Sequence, residues 1–168
     1  DKYLSCKLFE SANIRTPPKI LLDEGEYVVP SDYSGPYVIK PNNDGSSVGV
    51  EIILDGRLCP RKMWSSDTDL IGEHYISGRE LTVSVLNGKA LCVTEIIANA
   101  DFYNYKAKYD MNGSSHKIPA DIPKVIYKKA LSWALKAHKI IGCRGISRTD
   151  FRYDENNEYK DFAAVGVT

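Results

Sequence analysis

Cysteine, histidine and net charge are all scarce in this 168-residue chain, and each scarcity narrows what it can do. The four cysteines, Cys6, Cys59, Cys92 and Cys143, are widely spaced and form neither a CxxC pair nor a Cys/His cluster, so free thiols in a reducing cytosol are expected. The three histidines, His74, His116 and His138, have no mutual spacing suited to zinc. His138 falls on the apolar stripe of a predicted helix, where a satisfied structural role is expected. Lys plus Arg and Asp plus Glu number 22 each, and without a net field neither nucleic acid nor an anionic membrane is an expected partner. No apolar run approaches the ~18 residues of a membrane span, and the opening DKYLSCK lacks the apolar core of a signal peptide. A soluble cytoplasmic protein is therefore expected. The G-x-x-x-x-G-K-[ST] phosphate loop and the G-x-S-x-G nucleophile elbow do not occur, and there is no internal repeat or low-complexity segment.

What is present reads as an α+β chain. With 43% apolar residues it can bury a core in one domain or one and a half. Residues 2 to 12 place Leu4, Leu8, Phe9 and Ala12 on one helical face, with Asp1 suited to capping and Asn13 to ending the turn before Thr16-Pro17-Pro18. Strands are predicted near 19–22, 37–41 and 48–54, the last turning at Asp55-Gly56 as a hairpin. After Cys59-Pro60 the polar stretch RKMWSSDTD reads as a loop or short helix, and DLIGEHYI resumes strand character. In residues 80 to 97, Leu81, Val83 and Val85 alternate with Thr82 and Ser84 and meet Asn87-Gly88, which predicts an antiparallel hairpin. The segment FYNYKAKYDMNGSSHKIPAD, rich in aromatics and lysines, is long for a connector and reads as a functional lid. Asp121 and Pro123 signal a helix start, and apolar positions at 126, 130, 131, 134, 135 and 138 carry it to Ile141, where Gly142 closes it. In the strand GISRTDFRYD, Arg148, Asp150 and Arg152 share one face.

Three places could carry chemistry. Lys40 stands at the end of an apolar strand, ordinarily the position of an edge-strand lysine. It is followed by Asp44-Gly45-Ser46-Ser47, where the glycine lets the backbone approach an anion and the serines and N–H groups can donate to phosphate oxygens. Glu73 and Glu80 bracket HYISGR, where main-chain groups around His74 to Ile76, Tyr75 included, could read an adenine edge and Glu80 could accept from ribose hydroxyls. Asp150, beside Arg148, could ligate magnesium together with substrate phosphates and a second acid from the returning strand, for which Glu158 and Asp161 are the candidates.

Taken in order, DKYLS, VIKPNNDGSSVGV, EHYISGRELTVSVL, FYNYKAKY and GCRGISRTDF resemble the ATP-grasp superfamily and, within it, the D-alanine–D-alanine ligases. That resemblance implies two antiparallel-rich sheets with flanking helices gripping ATP between them. The implied small subdomain spans residues 1–85, and the large one 86–168 carries a lid at 99–118. It implies nucleotide contacts from Lys2, Lys40, Ser46, Ser47, Glu80 and Lys108, with Glu73, His74, Tyr75 and Ile76 forming the adenine hinge. Tyr109 would meet Ser46 when the lid closes, Arg148 would touch substrate, and Asp150 would bind magnesium or manganese. The implied activity joins two D-alanines for peptidoglycan synthesis, in a full-length homodimer. Another carboxylate–amine ligase would share the nucleotide residues, but FYNYKAKY argues against it. A nucleotide-binding module without turnover is the other alternative: the family's metal-binding E-x-N is replaced here by DFAAVGVT, in which Ala163, Ala164 and Val165 have no ligating side chain.

Overall fold

The computed structural model describes residues 1–22, 27–28, 35–55, 59–98, 114–156 and 162–167. It opens with helix α1 (Lys2–Ser11), started by the Asp1 carboxylate, which accepts from the Leu4 N–H at 2.9 Å. The helix ends where Asn13 turns to a φ of 54°. The buried face is only in part the one expected: Phe9 lies on it and Ala12 packs beside the core. Cys6 and Phe9 are buried, whereas Leu4 and Leu8 are exposed, because α1 docks by the Cys6 and Phe9 side onto the larger core.

Four strands form the first sheet in the order β1 (Lys19–Leu22), β6 (Leu70–His74), β3 (Tyr37–Pro41), β4 (Glu51–Ile53), all antiparallel. Lys40 therefore lies on a strand flanked on both sides and is not an edge lysine. The strand expected at 48–54 begins only at Glu51; residues 46–49 are a turn, with Val48 50% exposed. The turn expected at Asp55-Gly56 runs into residues 56–58, which lie outside the described residues, but the strands on either side of it do not pair with each other. β4 pairs with β3, while β5 (Cys59–Pro60) pairs with β2 (Tyr27–Val28) in a separate ribbon. A 3₁₀ turn at Arg61–Met63 follows, within the stretch expected to be a loop or short helix.

The second sheet has the order β11 (Phe162–Val167), β10 (Ile146–Tyr153), β7 (Arg79–Leu86), β8 (Lys89–Ala98), β9 (Ser114–Lys117). Between β7 and β8 the turn residues Asn87 and Gly88 take φ of 48° and 73°, the left-handed geometry that matches strand twist in a two-residue hairpin. The expected boundary at residue 85 falls inside this hairpin; the chain changes sheet between His74 and Arg79. The end of the expected lid, residues 114–117, is strand β9 paired to β8. Helix α2 (Lys124–Ile141) starts after Pro123 without a side-chain cap and ends at Gly142 in the left-handed conformation. Asp121 pairs instead with Lys117 at 3.3 Å. One face of α2 covers the sheet, where Trp133 and Phe151 stack on Phe162 with centroids at 5.2 and 5.0 Å. His138 is buried, with Nδ1 2.8 Å from the Ser147 hydroxyl, the structural role expected of it.

The two sheets are tied at the β6–β7 junction. The Arg152 guanidinium donates to the Ile76 and Gly78 carbonyls at 3.1 and 2.9 Å, and the Ser77 hydroxyl bonds the Asp154 carboxylate. Gly78 sits at φ +88°, and a Cβ there would lie 2.4 Å from the Tyr153 carbonyl oxygen. Only glycine fits that crossing.

Candidate nucleotide cleft

Between the sheets lies a cleft of about 850 Å³. The pleat of each strand decides what enters it. On β10, Ser147, Thr149, Phe151 and Tyr153 turn to the core, leaving Arg148, Asp150 and Arg152 for the cleft face, as the alternation requires. On β7 the same rule buries Leu81, Val83 and Val85 and turns Glu80 and Thr82 to the cleft. The first sheet supplies Val38, Lys40 and Ile52, and the β6–β7 junction supplies His74, Tyr75 and Ile76. Val38, Ile52, Ile76 and Ile96 give apolar walls, while charged groups stand at the other parts of the rim.

At the floor is an ion ladder. The Glu73 carboxylate, 4% exposed, receives Lys40 Nζ at 2.5 Å on one oxygen and Lys19 Nζ at 3.1 Å on the other. Lys19 also lies 2.7 Å from Cys6 Sγ. Burial alone would raise the Glu73 carboxyl, but Lys40 and then Lys19 overcome it and hold the group below the usual carboxylate range. Lys19 mirrors this: burial lowers it, and the charge of Glu73 followed by Cys6 brings it above its ordinary value. Glu73 thus spends its carboxylate on two lysines. Lys19 was missed in the sequence, where KILL reads as the polar start of an apolar strand.

Lys2 anchors the Gly/Ser loop after β3. Its ammonium donates to the Pro41 carbonyl at 2.7 Å and also to the Asp44 carbonyl. Burial, and next the charge of Lys40, lower its pKa. Asn42 adds a second tie, accepting from the Tyr3 N–H at 2.9 Å through Oδ1. The turn that follows places Gly45, Ser46 and Ser47 on the cleft lining. Ser46 and Ser47 have φ of 52° and 59°. That left-handed region costs a residue with a Cβ about 1–2 kcal/mol, so the turn is held against a local preference.

Across the cleft, Arg148 meets Asp150 with two bonds of 2.9 and 3.0 Å, and the Thr82 hydroxyl donates to the same carboxylate at 2.7 Å. Glu80 pairs with Arg152 at 3.6 Å. Arg152, absent from the expected contacts, therefore links Glu80 to the Ile76 and Gly78 carbonyls; its place on the Arg148 and Asp150 face was the signal for it. Strand β11 runs beside Asp150, in register with Gly166, and its described residues carry no acid. Glu158 and Asp161 lie outside the described residues, as do Tyr109 and Lys108. Among the described residues there is no group of three His, Cys, Asp or Glu side chains placed to hold a metal, and no helix is long and apolar enough to cross a membrane.

Two antiparallel sheets facing each other across such a cleft are the ATP-grasp fold. The crystal structure of D-alanine--D-alanine ligase from Bacillus anthracis complexed with ATP superposes with a TM-score of 0.74 at 22% identity, covering all of this chain and 54% of that one. VanG D-Ala:D-Ser ligase from Enterococcus faecalis superposes at 0.75 with 25% identity, over all of this chain and 51% of that one. Residues 15–160 match the family described as D-ala D-ala ligase C-terminus. The chain is 44% identical over 162 residues to the D-alanine--D-alanine ligase of Zymomonas mobilis, covering 92% of this chain and 50% of that enzyme. It is 43% identical over 156 residues to that of Paramagnetospirillum magneticum, with 92% and 51% covered. The chain belongs to the D-alanine–D-alanine ligase C-terminal family. It spans about half the length of the curated relatives it matches.

Proposed function

We propose that this chain is the nucleotide-gripping part of an ATP-dependent D-alanine–D-alanine ligase. The observation that supports it most is the meeting, in one cleft of a chain of this family, of Lys40, the Gly45–Ser47 turn and the Arg148–Asp150 pair. The apolar walls suit a base, the hinge at His74–Ile76 its edge, and Glu80 a ribose. Lys40, with the serine turn, faces the polyphosphate.

In the proposed reaction a D-alanine carboxylate oxygen attacks the γ-phosphorus, ADP departs, and an acyl phosphate forms. The amine of a second D-alanine then attacks the acyl carbon, phosphate leaves, and the nitrogen loses a proton. Both partners in the first step are anions, so Lys40 and Arg148 would offset their repulsion and stabilise the charge that develops in transfer. No protein nucleophile is required. Asp150 is an acceptor-only carboxylate at the phosphate end and fits a magnesium ion shared with substrate oxygens, since that ion is usually held by one or two carboxylates plus phosphates. Bound there, the ion would supply neutralisation of the β- and γ-oxygens.

A second reading, nucleotide binding without turnover, is favoured by β11, where Ala163, Ala164 and Val165 offer no second metal carboxylate. Calorimetric melting with and without magnesium ATP tests the shared part. Saturating nucleotide at about 100 times its Kd should stabilise the fold by about 2.7 kcal/mol. An unchanged melting curve at millimolar nucleotide would remove both readings, while phosphate release on adding D-alanine separates them.

A further inference from the structure

The turn carrying Gly45, Ser46 and Ser47 is fastened at two points. At its entrance the Lys2 ammonium holds the Asp44 carbonyl. At its exit the Trp64 indole Nε1–H donates to the Gly49 carbonyl at 2.8 Å. The approach is close: a Cβ on Gly49, whose φ is +66°, would stand 3.0 Å from both Pro41 Cγ and Trp64 Nε1. Glycine at 49 therefore lets the backbone lie against the indole.

Trp64 is itself held. Its ring packs against the cluster of Tyr37, Ile39, Ile53, Cys59 and Leu70. Its backbone N–H donates to the Arg61 carbonyl at 2.9 Å, and the Arg61 guanidinium reaches the Ser66 and Thr68 carbonyls at 3.2 and 2.8 Å. The stretch between β5 and β6 closes on itself and presents an indole donor to the turn. Trp64 does not line the cleft: its ring supports the strand that carries Lys40, and its indole N–H reaches the turn.

We propose that Trp64 is a positioning residue for phosphate recognition: it holds the Ser46-Ser47 turn in its left-handed form before a ligand arrives, so the turn meets phosphate oxygens already ordered. The inference rests on the reading of that turn as a phosphate clamp. It assigns the short 59–69 segment a task, that of a fixed support behind the clamp.

Trp64→Phe tests it, because the ring stays and the N–H goes. In the ligand-free protein, hydrogen exchange at residues 46–50 should accelerate while β6 and β7 keep their protection. Calorimetric titration should show magnesium ATP weakened about tenfold and adenosine, which has no phosphate, unchanged. Unaltered exchange at 46–50 would overturn the latch. So would equal weakening of ATP and adenosine, which would make Trp64 ordinary packing. A wild-type protein that binds ATP no better than adenosine would overturn the phosphate reading instead, and accelerated exchange in the variant would tell that failure from a failed latch.

Discussion

Glu73 carries one negative charge between two buried ammonium groups, with Lys40 Nζ at 2.5 Å and Lys19 Nζ at 3.1 Å. Removing the middle of such a ladder leaves two cations desolvated side by side, and loss of one member of a buried pair costs about 3–5 kcal/mol. Glu73→Gln should therefore lower the unfolding free energy extrapolated from urea titration by about 3–5 kcal/mol. Lys19→Met should cost less, since Lys40 still pairs with the carboxylate. The ladder also sets a pH window. The folded Glu73 carboxyl lies below its ordinary 4.5, so the unfolded chain takes up its proton first on acidification. Its contribution is whole above pH 4.5 and drains away as pH falls through the lower folded value. Lys19 is raised above 10.5, so its contribution is whole below that pH and is lost only as pH rises through the folded value. Urea titrations between pH 3 and 7 should show stability rising with pH, with a shallower slope in Lys19→Met, which relaxes Glu73 toward its ordinary value. An unchanged slope would remove Lys19 from the ladder.

At the scale of elements, what could be read from sequence was what local rules control. Alternation along Ile146–Tyr153 put Arg148, Asp150 and Arg152 on one face, and Asn87-Gly88 marked the β7–β8 turn, because strand pleat and turn geometry depend on neighbours alone. The lysine followed by a Gly/Ser turn was legible for the same reason. The pairing of Tyr27–Val28 with Cys59–Pro60 was not, since it joins residues far apart with no hairpin between them. The face of α1 was read only in part: Phe9 and Ala12 turn to the core as expected, but the two leucines drew the face toward Leu4 and Leu8, whereas docking on the core selects Cys6 beside Phe9. Glu73 stood out in the sequence but its partner Lys19 did not: their contact is made across β1 and β6, where Lys19 stands opposite Glu73. Gly78 belongs to this scale too, as the crossing between elements. Gly78→Ala forces a Cβ onto the Tyr153 carbonyl oxygen as well as a left-handed φ, so it should lower stability by about 2 kcal/mol or more, measured by thermal melting. A variant that melts with the parent would mean that the β6–β7 junction yields freely.

Among the described residues the molecule has two cores of unequal size. The second sheet packs α1 and α2 around Phe9, Trp133, Phe151, Tyr153 and Phe162, whereas the first sheet closes mainly over Tyr37, Ile39, Ile53, Cys59 and Leu70. Cooperative units with less buried apolar surface open at lower free energy. In the free protein, amides of β3 and β6 should therefore exchange faster than those of β7 and β10. A ligand that bridges the cleft changes this, because opening the smaller sheet then also gives up the contacts of Lys40 and the serine turn with the ligand. Magnesium ATP should thus slow exchange in β3 and β6 more than in β7 and β10 and narrow the gap between the sheets. Adenosine should slow exchange at the hinge, His74–Ile76, and leave the Gly45–Val48 turn as it was. Protection confined to β7 and β10 on adding magnesium ATP would place the ligand on the larger sheet alone, and the two sheets would then not act as jaws on one nucleotide.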